Sequence, residues 1–170
     1  MGAIKRRYMM RESEKKGFLK EISKIFNIDL ETIFGYKPKI EIIEVDKAKI
    51  FVVNDKPILV EFKDTIMPTL LFDDLINRLP KVVVDMGAVP HICNGADIMA
   101  PGIVRIHGEF REGDLVLVLD EKYGKAIAIA KAMLSSGNLI DLRRGKVLKN
   151  IHYVGDSIWK AIDALWKRKS

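Results

Sequence analysis

Glutamine is absent from the 170 residues, cysteine occurs once, at Cys93, and histidine only three times. One thiol makes neither an internal disulfide nor a cysteine-rich zinc site. No apolar run approaches the roughly 18 to 20 residues that cross a bilayer, and the start is charged where a secretory signal needs an apolar stretch. A cytoplasmic protein with no membrane segment is therefore expected. Met1-Gly2 opens a myristoylation motif, but Arg6 stands where the acyl-transfer motif requires Ser or Thr. The lack of glutamine beside abundant Ile, Lys and Glu is the bias of hyperthermophile proteins.

Apolar residues make up 48% of the chain, enough for real cores, and its length suits one ordinary domain or two small ones. The net charge of +6 is unevenly spread. Residues 1–24 carry eight Lys or Arg against three acids, residues 25–80 seven against ten, and residues 81–170 fourteen against ten. The basic surface thus belongs to the two ends, which suits a polyanionic partner but equally a solvated face.

Phe18, Leu19, Ile22, Ile25 and Phe26 recur at helical spacing and predict a packed amphipathic helix behind Lys5-Arg6-Arg7 and Arg11. Residues 40–45, 49–53 and 58–62 read as strands, with Asn54-Asp55-Lys56-Pro57 as the turn before the third. Pro68 is placed to open a helix whose face holds Leu71, Leu75 and Leu79, ended by Pro80. Beyond Pro80 come short strands divided by glycines: residues 81–85, 114–120, 126–130 and 145–153. In Ala126-Ile127-Ala128-Ile129-Ala130, small and large residues alternate as in a strand lining a narrow barrel. Ile158, Trp159, Ile162, Leu165 and Trp166 predict a closing helix, with Asp156-Ser157 as its cap. The chain divides into an α+β unit of residues 1–80 and a strand-rich unit of residues 81–170.

Motifs for catalysis fail in turn. Gly108 and Gly113 have phosphate-loop spacing, but Asp114 stands where that loop needs lysine. No dinucleotide fingerprint, zinc-protease helix or nucleophile elbow occurs. His91, His107 and His152 lie apart, without carboxylates at ligand spacing. His91 and Cys93 would diverge on a helix, as would Asp73 and Asp74. Neither a catalytic residue nor a metal or cofactor is expected.

Residues 85–105 carry the signal. Gly87-Ala88 and Gly95-Ala96 flank a short helix at Pro90, and Asp97 to Gly102 returns the chain to a strand. Small residues here admit another backbone, and the amides opening the Pro90 helix suit a phosphate. A tight strand-helix-strand corner, with glycines serving only the fold, accounts for the pattern as well.

The signature Asp85-x-Gly87-Ala88, then Gly95-Ala96-Asp97-Ile98-Met99-x-Pro101-Gly102-Ile103, resembles the PUA domain, the pseudo-barrel of pseudouridine synthases and archaeosine transglycosylases. Asn150-Ile151-His152-Tyr153-x-x-Asp156-x-x-Trp159 is similar to the closing strand of one subgroup. Residues 52–59 and Met67-Pro68-Thr69-Leu70 are similar to that subgroup's N-terminal domain, so the resemblance spans nearly the whole chain. The subgroup is the malignant T-cell-amplified sequence family of translation factors, with the related half of ligatin.

The resemblance implies an α+β pre-PUA domain over 1–80, then a mixed β PUA pseudo-barrel with a C-terminal helix over 81–170. It also implies a non-enzymatic RNA-binding role. Eukaryotic members act with a density-regulated partner on the small ribosomal subunit in initiation, reinitiation and tRNA release. The composition points to an archaeal source, where that heterodimer need not exist, and Lys5-Arg6-Arg7 departs from the eukaryotic pattern. A monomer is expected. The expected RNA groove is formed by Gly87, Ala88, His91, Asn94, Gly95 and Ala96 with the last strand, accepting a structured stem of tRNA or rRNA by shape and backbone. Arg105, Arg143, Arg144, Lys146 and Lys149 supply the phosphate contacts, and His152 or Tyr153 a stacking ring, the other of the two facing the barrel interior. The competing roles are a protein-interaction module on the ribosome and an RNA-binding subunit assisting a tRNA- or rRNA-modifying enzyme.

Overall fold

Alternating strands joined by two-residue turns build the first part of the chain. A computed structural model describes residues 4–167 and separates two units, Met1–Leu75 and Ile76–Ser170. The Met1-Gly2 pair lies outside the described residues.

In the first unit β1 (Arg6–Met9), β2 (Ile40–Val45), β3 (Ala48–Val53), β4 (Lys56–Phe62) and β5 (Thr65–Pro68) form one antiparallel sheet in chain order. Asn54 and Asp55, with φ of 47° and 68°, turn β3 into β4, and Lys63 and Asp64, at 48° and 59°, turn β4 into β5. Two left-handed residues in a row match the right-handed twist of the strands they join. Between β1 and β2 run α1 (Glu12–Phe26) and α2 (Leu30–Phe34). Phe18 of α1 stacks on Phe51 of β3 with ring centroids 4.8 Å apart, a pair worth about 0.5–1.5 kcal/mol beyond its area. Ile22 is wholly buried beside them. Ile25, expected on this face, is 52% exposed, because the buried stripe runs through Lys15, Leu19, Ile22 and Phe26 and leaves position 25 to one side. Asn27, at φ 50°, ends α1, and the Asp29 carboxylate caps α2 by accepting the Glu31 and Thr32 amides.

The helix expected from Pro68 does not form. Thr65–Pro68 is an edge strand, where the missing N–H of proline is tolerated. The buried Thr69 hydroxyl donates to the Pro57 carbonyl at 2.8 Å and accepts the Leu71 amide, turning the chain away from the sheet. Only α3 (Asp73–Ile76) is helical; the expected Leu75 is buried, with Phe72 and Ile76 in place of Leu71 and Leu79.

The second unit holds β6 (Lys81–Val84), α4 (Val89–Ile92), β7 (Ile98–Met99), β8 (Ile103–His107), β9 (Leu115–Asp120), β10 (Ala126–Ala132), α5 (Ser136–Leu139), β11 (Lys146–Tyr153) and α6 (Ser157–Lys167). The strands make a curled mixed sheet in the order β7-β11-β10-β9-β6-β8, parallel only between β6 and β9. Ala128, Ala130 and Ala132 are buried against Val82, Val118 and Leu148, small residues where the sheet closes on its own core. Ile129 is buried on the other face of β10, as alternation requires, whereas Ile127 also joins the core because a bulge at Ala126/Ala128 shifts the register.

The last helix hangs on one carboxylate. Asp156 accepts the Trp159 amide at 2.7 Å and the Tyr153 amide at 3.0 Å, and lies 2.7 Å from Nδ1 of His152. Ile158 and Ile162 of α6 are buried, while Trp166 is half exposed. Burial pushes the Asp156 carboxyl up, but the hydrogen bond to His152, the charge of that ring and the two amides hold it below the ordinary value. A depressed carboxylate contributes stability that is full above the unfolded pKa of about 3.9 and fades as pH falls through the folded value. Urea denaturation of Asp156→Asn against pH should therefore show a flatter acid limb below about pH 4 than the parent.

Candidate nucleic-acid interface

The chain leaving β6 makes a corner in which each small residue already has a neighbour. Asp85 accepts the Ala88 amide on its carboxylate at 2.8 Å and donates its own amide to the Gly102 carbonyl at 2.9 Å. A Cβ on Gly87 would meet Asp85 Oδ1 at 3.2 Å, one on Gly102 would meet the Ala88 Cβ at 3.2 Å, and one on Gly95, at φ +96°, would meet the Tyr153 hydroxyl at 3.1 Å. The glycines thus serve contacts inside the fold, and the corner reading of the sequence accounts for them. The expectation that the Pro90 helix offers amides to a phosphate is also corrected. Its helix α4 has a single turn, Pro90 has no N–H, and a carboxylate already occupies the Ala88 amide.

Asn150 fixes the turn that follows. Its side-chain amide donates to the Ile92 and Ala96 carbonyls, each at 3.0 Å, while its backbone amide donates to Asp97 Oδ1 at 2.9 Å. The Asp97 carboxylate also faces Lys146 Nζ at 3.5 Å. This clasp holds the exposed residues His91, Asn94, Gly95 and Ala96 beside β11. Arg143 and Arg144 are exposed in the turn entering β11, Lys146 begins that strand, and Lys149 is exposed three residues on.

Lys149 sits directly opposite Lys131 of β10. Both are exposed and, among the described residues, neither makes an ion pair with an acid. Like charges facing across strands cost stability unless an anion spans them.

Two further predicted residues have different surroundings. Arg105 is exposed on β8, which three strands separate from β11 in the sheet order but which follows within one turn on β7, the other neighbour of β11. His152 is fully buried against Asp156, so its ring cannot stack on a base; the register shift at Ile129/Ala130 places it opposite Ile129. Asn150 and Lys131 were missed by sequence reasoning. An asparagine within a strand is disfavoured by propensity, and that oddity was the available signal. Burial pushes the Cys93 thiol above its ordinary pKa, away from nucleophilic use. Among the described residues no group of three or more His, Cys, Asp or Glu is placed to hold a metal ion, and no helix is long and apolar enough to cross a membrane.

Asn150→Ala should lower stability by about 2–4 kcal/mol, from two lost side-chain bonds and the Ala96 carbonyl left without a partner. Hydrogen exchange should speed up at the amides of residues 92–97, and equal protection in parent and variant would deny Asn150 this role.

The PUA domain family matches residues 80–154, and a family described as domain of unknown function DUF1947 matches residues 6–73. An uncharacterised protein of Methanocaldococcus jannaschii is 37% identical over 159 residues, covering 92% of this chain and 96% of its own. Translation machinery-associated protein 20 of Saccharomyces cerevisiae is 26% identical over 153 residues, covering 85% and 84%. The crystal structure of a hypothetical protein from the hyperthermophilic archaeon Pyrococcus horikoshii is 37% identical with a TM-score of 0.74, covering 92% of this chain and 99% of that one.

Proposed function

The chain belongs to the family of PUA-domain proteins of the malignant T-cell-amplified sequence type, in which a DUF1947 domain precedes the PUA domain, and on that premise we propose a non-enzymatic RNA-binding protein of the translation machinery. It acts in the cytoplasm on the small ribosomal subunit or on tRNA. The observation that carries this reading is the uncompensated cation pair Lys131 and Lys149, facing one another across β10 and β11 on the strand that Arg143 and Arg144 lead into.

Four cations along a strand and its entering turn suit a phosphate backbone, since a structured stem is bound mainly through phosphates, 2′-hydroxyls and shape. The turn of His91 and Asn94 to Ala96 is held to the same strand by Asn150, whose side chain points to the opposite face of β11 from that of Lys149. Lys146 contributes less, because Asp97 shares its charge at 3.5 Å.

The reading is tested by titrating a tRNA acceptor stem at two salt concentrations with the parent and with Arg143→Ala/Arg144→Ala/Lys149→Ala. Each lost phosphate contact should flatten the logarithmic salt slope by about 0.7 to 0.9. An unchanged slope would remove the stem from this surface. Co-purification with an RNA-modifying enzyme, with no stem binding by the chain alone, would favour the assisting-subunit role instead.

A further inference from the structure

A second cationic surface lies wholly within the first unit. Between α1 and the loop after α2 opens a groove of about 650 Å³, within the range of about 300–1,000 Å³ typical of small-ligand sites. One wall is a face of α1 that includes Lys16 and Lys20, and the other includes Tyr36 and Lys37. Lys16 and Lys20 stand one helical turn apart, about 6 Å along the axis.

The acids in the groove are mostly engaged. Glu12 pairs with Lys15 at 2.7 Å, and Asp29 is held by the amides it caps. Among the described residues this leaves Glu31 facing Lys16, Lys20 and Lys37. Tyr36 is 81% exposed, a large aromatic surface with nothing in this unit's core to gain. The Lys37 ammonium lies 5.3 Å from its ring centroid, so one face is backed by a cation and the other is open.

The loop that carries the ring is anchored. Pro38 behind it is buried, the Lys39 amide donates to Asn54 Oδ1, and Asn54 Nδ2 donates to the Phe34 carbonyl, which ties both ends of the loop to the β3–β4 turn. An open aromatic ring on an anchored loop, with lysines beside it, is the equipment that binds single-stranded nucleic acid, where bases stack and cations track the backbone.

We propose that this groove binds a single-stranded RNA segment, with one base stacked on Tyr36 and the adjoining phosphates on Lys16, Lys20 and Lys37. This site is separate in residues and in RNA chemistry from the stem-binding strand β11. It would let one chain hold an unpaired stretch as well as a paired one.

The test is fluorescence anisotropy of the full chain with a labelled oligouridylate about eight nucleotides long. Tyr36→Ala should weaken binding about 5- to 100-fold, while Tyr36→Trp, a larger stacking surface, should bind at least as tightly as the parent. Lys16→Ala/Lys20→Ala/Lys37→Asn should reduce the salt slope by about 0.7 per phosphate contact, asparagine being chosen because Lys37 has a φ of 53°. Unchanged affinity in Tyr36→Ala, or a loss in Tyr36→Trp equal to that of alanine, would overturn the proposal. So would displacement of the oligonucleotide by uridine monophosphate at matching affinity, which would make the groove a free-nucleotide site. The stem titration of the β11 variant and the oligouridylate titration of Tyr36→Ala use different variants and different RNAs, so either reading can fail alone.

Discussion

The PUA surface depends on the clasp made by Asn150. One side-chain amide with two N–H groups meets two carbonyls at the end of α4, and the backbone N–H of the same residue meets Asp97. The Ile92 carbonyl also accepts the Gly95 amide at 3.0 Å, whereas among the described residues the Ala96 carbonyl has only the Asn150 side chain, so in its absence that carbonyl would face water or stay unpaired. With it, the turn from His91 to Ala96 moves as part of β11. Every surface residue of that turn inherits its position from a strand more than fifty residues away in sequence.

Charge is then arranged around the clasp by two different rules. Where a cation has a partner, as Lys146 has in Asp97, its role is partly local. Where two cations oppose one another across strands, as Lys131 and Lys149 do, the fold accepts a cost that it does not offset internally. The N-terminal unit shows the same division. Lys15 is buried and paired with the exposed Glu12, while Lys16 and Lys20 of the same helix stay open beside an exposed tyrosine. Unpaired cations beside polar turns or aromatic rings are the common thread, and polyanions are the ligands that offset them.

Much of this was legible in the residue order. The three central strands of the first sheet, the closing helix and its Asp156 cap follow from period-2 and period-3.6 patterns, because backbone periodicity dictates which side chains can share a buried face. The helix expected from Pro68 failed because proline is compatible both with a helix start and with a sheet edge, and the choice was made by Thr69 reaching the Pro57 carbonyl. His152 was misjudged for a related reason. Counting alternation along β11 cannot foresee a register shift opposite Ile129/Ala130, and that shift, with Asp156, takes the ring inside.

Residue order alone determined the α+β class, the absence of an evident catalytic or metal motif, the basic ends and the glycine-rich corner of residues 85–102. These are properties of composition and of neighbours in sequence. The tertiary structure decided which small residues serve the fold, which cations stand unpaired and which polar side chain anchors the corner. Each of these is a matter of distance between residues far apart in the chain: Gly95 to Tyr153, Lys131 to Lys149, Asn150 to Ile92. Local preference cannot encode such distances, because they exist only once strands have paired and the sheet has curled.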